Sequence, residues 1–397
     1  MARVWIEDRA NHADYQKAME SWQAAKREGS KRQAPGRWRV RWYGPDGKPK
    51  AKTFAKLPQA EAEKDAITAR LDKGSYRDPK SGKAATKVVA EEWFASKRKI
   101  GRTTRHDYRD LLDNYVIPKW GDWQIAAIQW EDVSAWLTDL DTKPGKSGKQ
   151  LGPARIIKTY RVFSMVMKHA VFSKRIAVSP AHEHELPRLA EEDEHVYLTY
   201  SQLERLAIAA GAYGLLILTL GYSGIRWAEA SAIKVGRLQI PQRRIRIVQN
   251  YTDVRGELAL GPVKNHEKRS VPIPRSFADE LGDLASGRGQ GELLFTAPEG
   301  GPMRYRNFRS RVFDPAVKEA GLDGMGVTPH KLRHTAASLA IAAGADVKVI
   351  QTMLGHKDAA MTLNIYGHLF PDRLDEVADA LDAGRKVALA LADASLT

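Results

Sequence analysis

The amino-acid sequence predicts an α+β protein that is mostly α, built from three parts. Three observations carry this. Residues 37–43 alternate between basic and apolar side chains, which is the period of a strand. From Thr86 to about Pro180 the apolar spacing is helical throughout. After Leu198 the helical spacing returns, interrupted by three strand-like runs between Arg244 and Pro274. The expected layout is a small sheet plus helix in residues 1–80, a helical domain in 85–183, and a mainly helical domain with a small sheet in 195–397, ending in a tail. A length of 397 residues accommodates two or three domains.

The formal net charge of +15 points to a polyanionic partner, nucleic acid ahead of membrane. The absence of cysteine excludes disulfides, thiolate metal sites and a cysteine nucleophile. No signal peptide and no apolar run near about eighteen residues is seen, so a soluble cytoplasmic protein without membrane contact is expected. The eleven histidines do not fall into metal-ligand spacing, so neither a metal nor a cofactor is expected.

Residues 1–80 hold 19 lysines and arginines against 11 acids. Ala2–Ile6 reads as a strand and Asp14–Arg27 as a helix with Tyr15, Met19, Trp22 and Ala25 on its stripe. Arg37, Arg39 and Arg41 then fall on one strand face, and Trp38, Val40 and Trp42 on the other. Gly44-Pro45-Asp46-Gly47 is a turn signal, Lys50–Phe54 a return strand, and Pro58–Lys73 a helix. Such a ribbon suits a DNA major groove, which makes Arg37, Arg39, Arg41, Lys50 and Lys52 candidate DNA contacts. The competing reading is a basic solvated sheet that only aids solubility.

Residues 74–85 have linker composition. Helices are expected over Val88–Lys97, Thr103–Val116 (broken by Pro118–Asp122), Asp132–Leu140 and Pro153–Phe172. The polar side of the last carries Arg155, Lys158 and Arg161, further candidate DNA contacts, although solvated helix faces look the same. The acid-rich stretch 183–194, with Pro187, reads as an interdomain linker.

The last domain opens at Leu198–Leu203. An apolar helix, Tyr213–Tyr222, leads into a glycine-interrupted junction that presents Arg226, a charge that needs a partner there. Strands are expected at 244–249, 257–263 and 269–274, with Lys264 in the turn between the last two, then a helix over Asn307–Ala320. Residues 327–368 gather His330, Arg333, His334, His356 and Tyr366. Thr328-Pro329 reads as a helix start, His330 and Arg333 share one helix face, and Gly344 stops the helix. A second helix, Val347–Leu354, ends at Gly355, and a third pattern delivers Tyr366. Guanidinium, imidazole and phenol together suit metal-free phosphoryl transfer: arginine gives paired donors to phosphate oxygens, and a phenol can attack phosphorus.

Four segments then add up: SGIRWAEASAI (223–233), VKNHEKRSVPIP (263–274), TPHKLRHTAA (328–337) and MLGHKDAAMTLNIYGHLF (353–370). In this order and spacing they resemble the catalytic domain of tyrosine recombinases, most of all integrases of actinobacterial phages and integrative elements. Residues 104–140 and 173–181 are similar to the family's helical core-binding domain, and the N-terminal sheet more loosely to its arm-binding domain. Residue by residue, the resemblance implies that Arg226 and Arg333 are the paired catalytic arginines. It further implies Glu229 as the acid that helps hold the site, Lys264 as the hairpin lysine, His330 as partner of Arg333, His356 as the second imidazole and Tyr366 as nucleophile. Ala228 stands where glycine is common, and Asn265-His266 where a small polar residue usually follows the lysine.

The resemblance implies a site-specific recombinase that cleaves and rejoins DNA through a 3′-phosphotyrosyl intermediate, integrating or excising a mobile element. Arg226 and Arg333 would clamp the phosphate, His330 would take the phenolic proton, and Lys264 would protonate the leaving 5′-oxygen. It also implies a homotetramer on double-stranded core and arm sites, with the tail (Leu374, Val377, Leu381, Val387, Leu389, Leu391) as an intersubunit contact. A host bending factor and an excision-directionality factor are further expected partners. From the residues alone, Tyr251 and Tyr305 compete as nucleophiles, and His334 competes with His330 as the working imidazole. A type IB topoisomerase-like enzyme and a non-catalytic DNA-binding regulator are the alternative functions.

Overall fold

The computed structural model describes residues 4–44, 47–78, 80–145, 148–189, 196–263, 268–372 and 374–394. The chain divides into two units, residues 1–190 and 191–397. Pro45 and Asp46 of the expected turn, residues 190–194 of the acid-rich linker, and Lys264 with Asn265 and His266 lie outside the described residues.

The first unit begins with an antiparallel sheet in the order β1 (Val4–Asp8), β2 (Trp38–Tyr43), β3 (Pro49–Phe54). Helix α1 (Ala13–Arg27) lies between β1 and β2, and α2 (Leu57–Asp72) follows β3. Val40, Trp42, Ala60, Ile67 and Tyr76 form a small core between the sheet and α2. The register sets Arg39 opposite Thr53 and Glu7, and Arg41 opposite Ala51 and Trp5. Lys50 pairs with Trp42 and Lys52 with Val40, so both lysines share the core side of the sheet, away from Arg39 and Arg41.

The helical remainder of this unit comprises α3 (Thr86–Ser96), α4 (Arg102–Leu111), α5 (Ile117–Trp120), α6 (Trp130–Thr142) and α7 (Pro153–Phe172). Its core stacks Trp120 on Phe163, centroids 5.5 Å apart, with Trp136 edge-on to Trp120 at 5.6 Å. Burying aromatics of this size stabilises by about 1.5–3 kcal/mol each. Pro118 does not break the helix as the sequence suggests. A π turn over Leu112–Val116 joins α4 to α5, and Pro118 sits just after it. The wider turn removes the need for the hydrogen bond that proline cannot donate.

The second unit runs through α8 (Tyr200–Ala209), α9 (Gly214–Ser223), α10 (Trp227–Ala230), β4 (Leu238–Gln239), β5 (Arg244–Ile247), β6 (Gln249–Val254), β7 (Glu257–Pro262) and β8 (Arg269–Pro272). It continues with α11 (Arg275–Ala285), α12 (Tyr305–Phe308), α13 (Asp314–Glu319), α14 (Lys331–Ala342), α15 (Val347–Leu354), α16 (Ala359–Tyr366) and α17 (Leu374–Ala394). Strands β4, β5 and β8 make one sheet; β6 and β7 make a separate hairpin. A second π turn, Arg309–Phe313, carries the chain past Pro315 in the same manner as at Pro118. Apolar α9 lies in the main core with Ile245, Val271, Phe277, Phe313 and Leu332. A smaller cluster gathers Ala336, Ala337, Ile341, Ile350, Met353, Leu354 and Tyr366. Among the described residues, no helix is long and apolar enough to cross a membrane.

Candidate active site

Two helix ends build the floor of the site. Helix α9 stops at Gly224 (φ 64°), and α15 stops at Gly355 (φ 64°), both in the left-handed region where a side chain is strained. At Gly224 a Cβ would also stand 2.6 Å from Leu354 Cδ2, so the two ends approach closely. Arg333, in the first turn of α14 and only 4% exposed, bridges them. Its Nη1 donates to Gly224 O at 2.6 Å and its Nη2 to Leu354 O at 2.7 Å. Carbonyls at helix C-termini lack intrahelical partners and carry the negative end of the dipole, so a buried cation suits them. Burial, aided by the nearby cations Arg226 and Arg269, brings the Arg333 pKa down to about 9, which leaves it charged at neutral pH.

Arg226 caps the short helix α10, and its side chain is partly open to solvent. Glu229, 3% exposed, accepts from Arg226 N at 2.9 Å and from Arg226 Nη1 at 3.1 Å. The partner expected for the Arg226 charge is therefore three residues along. Burial works to raise the Glu229 carboxyl, but hydrogen bonds and charge from Arg269 and Arg226 outweigh it and hold the pKa below its usual value. Arg269, on β8, donates from Nη1 and Nη2 to the two Glu229 oxygens at 3.0 and 2.7 Å, and from Nε to Met353 O at 3.1 Å. Nothing in the sequence singled out Arg269. Its signal was available only as the unanswered question of what neutralises a buried Glu229.

His356 follows the α15 end and is buried. Its Nδ1 lies 2.9 Å from Thr362 Oγ1, and its ring stacks on Tyr366 with centroids 6.4 Å apart and planes 8° apart. Burial and the Arg333, Arg226 and Arg269 charges push its pKa down to about 4, so the imidazole is neutral at pH 7. In the tautomer in which Nδ1 accepts from Thr362, Nε2 carries the proton and is a donor.

Tyr366 ends α16 with 1% exposure. Its hydroxyl lies 2.9 Å from His334 Nδ1. Burial pushes its pKa up to about 12, against a smaller downward pull from Arg333. His330 sits at the N-cap of α14 and is exposed; its ring meets His334 edge-on at 5.4 Å. The two imidazoles weighed for one role thus occupy different places. His334 touches the phenol, and His330 lies one ring further out.

Arg226, Arg333, His356 and Tyr366 therefore come together from separate elements, with the clamped Arg269 alongside. Residues 184–373 match the phage integrase family. That stretch, just under half of the chain, is a tyrosine recombinase domain of that family. Across 360 residues it is 26% identical to a putative prophage phiRv2 integrase of Mycobacterium tuberculosis, covering 87% of this chain and 92% of that one. It is 28% identical over 315 residues to tyrosine recombinase XerD of Corynebacterium glutamicum, covering 73% of this chain and 96% of the relative. Among solved structures, the Tn1549 transposon integrase in complex with transposon right end DNA has a TM-score of 0.62 at 18% identity, covering 77% of this chain and 100% of that one. A lambda integrase tetramer bound to a Holliday junction has a TM-score of 0.52 at 18% identity, covering 81% and 93%. The recombinase shares their fold.

The remaining candidate residues of the recombinase lie in its first unit. Arg37 forms a two-point ion pair with Asp8, both contacts at 2.8 Å. Arg39 lies 3.6 Å from Glu7 and from Asp14, and Arg41 3.6 Å from Glu7. Lys50 pairs with Asp78, and Lys52 with Glu63 at 3.0 Å. Arg155 pairs with Asp110 and lies 5.3 Å over the Tyr115 ring, whereas Lys158 and Arg161 are exposed on α7. Of the alternative nucleophiles, Tyr251 is in β6, and Tyr305 packs edge-on against Trp227 at 5.6 Å.

Proposed function

We propose that this recombinase cuts one DNA strand at a time with Tyr366 and reseals it to a new partner. The convergence of Arg226, Arg333, His356 and the Tyr366 hydroxyl supports this reading most directly. In the reaction, the Tyr366 oxygen attacks phosphorus, a bond to the 5′-oxygen breaks, and a 3′-phosphotyrosyl link remains. Its phenolic proton passes to an imidazole, His330 in the open complex, with His334 holding the hydroxyl before DNA arrives. Arg226 and Arg333 take the non-bridging oxygens as charge grows, and His356 donates to the same group from Nε2. Lys264 protonates the departing 5′-oxygen. A 5′-hydroxyl from a second duplex then attacks the phosphotyrosine. The link conserves the phosphodiester's free energy, so joining requires no nucleotide hydrolysis.

The same reading assigns residues 1–80 to arm-type sites, with Arg37, Arg39, Arg41, Lys50 and Lys52 as contacts, and residues 85–183 to core sites, with Arg155, Lys158 and Arg161. It assigns residues 195–397 to catalysis, and the working assembly is a homotetramer on two duplexes in the host cytoplasm, assisted by bending and directionality factors. Helix α17 keeps its apolar residues exposed, from Leu374 to Leu391, which fits the intersubunit role read from the tail. The decisive experiment is trapping on a nicked duplex carrying the element's own attachment core. Wild-type protein accumulates a covalent adduct and Tyr366→Phe gives none; an adduct from the Phe variant sinks the assignment.

A further inference from the structure

On the core side of the N-terminal sheet, β3, α2, residues 76–78 and Lys80 line a groove of about 610 Å³. Lys48, Lys50, Lys52, Arg70, Arg77 and Lys80 line it, against two acids, Glu63 and Asp78. The acids Glu7, Asp8 and Asp14 answer four arginines elsewhere in this region, Arg9, Arg37, Arg39 and Arg41, all within 3.6 Å of one of them. The larger surplus of positive charge therefore faces the groove, six cations against two acids. Its floor is rigid: Trp42 Nε1 donates to Tyr76 Oη at 2.8 Å, and both rings are buried.

We propose that this groove seats the phosphate backbone of double-stranded DNA. The proposal rests on the DNA-cleaving reading above. Phosphate contacts fix orientation without reading sequence, and each cation that neutralises a phosphate releases counterions, so affinity falls steeply with salt. The probe is a fluorescein-labelled duplex of random sequence, titrated with the full chain over a range of potassium chloride concentrations. Replacing three exposed groove cations together (Arg70→Gln, Arg77→Gln, Lys80→Gln) is expected to flatten the slope of log affinity against log salt by about three. A parallel set, Arg37→Gln, Arg39→Gln and Arg41→Gln, reports on the other face. An unchanged slope in the groove variant overturns the groove, whatever the sheet-face variant does. Salt-independent binding by the wild type overturns the DNA reading itself.

A second inference rests on different atoms. Arg269 reaches both Glu229 oxygens and Met353 O, and a Cβ on Gly355 would stand 3.2 Å from Nε and Cζ of its guanidinium. Glu229 in turn holds Arg226, and Gly355 precedes His356. The geometry points to Arg269 as a positioning residue that fixes Arg226 through Glu229 and fixes the helix end that carries His356, without touching DNA. Arg269→Lys keeps the charge but cannot span three acceptors. The expected result is a cleavage rate at saturating duplex reduced on the order of a hundredfold, with duplex affinity within about twofold of wild type. Arg269→Gln, which also leaves Glu229 buried beside one fewer cation, is expected to lose more. Wild-type cleavage by a folded Arg269→Lys overturns the inference, and so does an equal loss of affinity and rate, which would mark a general structural role.

Discussion

The arginines of the N-terminal sheet and those of the catalytic cluster are chemically identical, yet the fold uses them in opposite ways. Arg37, just before β2, is exposed and meets the exposed Asp8, and Arg41 on β2 meets Glu7 with both half-buried. Water competes for every one of these contacts, and such pairs contribute about 0–1 kcal/mol. Arg333 and Arg269 are buried and spend their donors on fixed acceptors: two helix-end carbonyls in one case, a buried carboxylate and a carbonyl in the other. Removing one partner of such a buried set costs about 3–5 kcal/mol, because a charge is stranded. Burial, not charge, separates an arginine whose position the protein fixes in advance from one whose contacts water can displace.

Acid sharpens the contrast. His356 has a pKa near 4 in the fold against an ordinary 6.5, so between those values the unfolded chain binds more protons than the folded one. The stability this neutral imidazole contributes is complete above about pH 6.5 and is lost as pH falls toward 4, up to roughly 3 kcal/mol. The N-terminal sheet behaves differently: Asp8 is held near 2 by the Arg37 hydrogen bond, so its contribution is complete above 3.8 and lost only below. Thermal melts of the full chain between pH 7 and 4 should therefore weaken the catalytic unit first. His356→Gln should flatten that decline; an undiminished decline in the variant breaks the comparison. The smallest effect belongs to the sheet itself. A double-mutant cycle on Arg37 and Asp8 is expected to give a small coupling that vanishes in high salt, and a large coupling that survives salt would mean that these arginines, too, are structurally committed.

Much of the site was legible because its motifs combine residue type with local signals. Arg226 follows a helix stop, His356 follows another, and Tyr366 ends a short apolar pattern. What the sequence hid depends on tertiary register. An arginine in a strand, between Lys268 and Ser270, carries no mark of the carboxylate it will meet 40 residues upstream. Alternation put Arg37, Arg39 and Arg41 together, but the pairing across the hairpin decides that Lys50 and Lys52 lie with Val40 and Trp42 instead. Pro118 looked like a helix end because the compensating π turn leaves no composition signal. His330 and His334 could not be ranked by spacing, since only packing brings the latter to the phenol.

The burial of Tyr366 also has a bearing on safety. For an enzyme of DNA recombination, restraint can reside in the protein itself. Tyr366 is 1% exposed, with its hydroxyl 2.9 Å from His334 Nδ1, and so must gain exposure, as by a shift of α16, before it meets a phosphate. If exposing it costs about 3 kcal/mol, roughly one molecule in a hundred is armed at any moment. Every cleavage rate is then scaled by that fraction, and whatever stabilises the shifted helix on assembled DNA acts as the trigger.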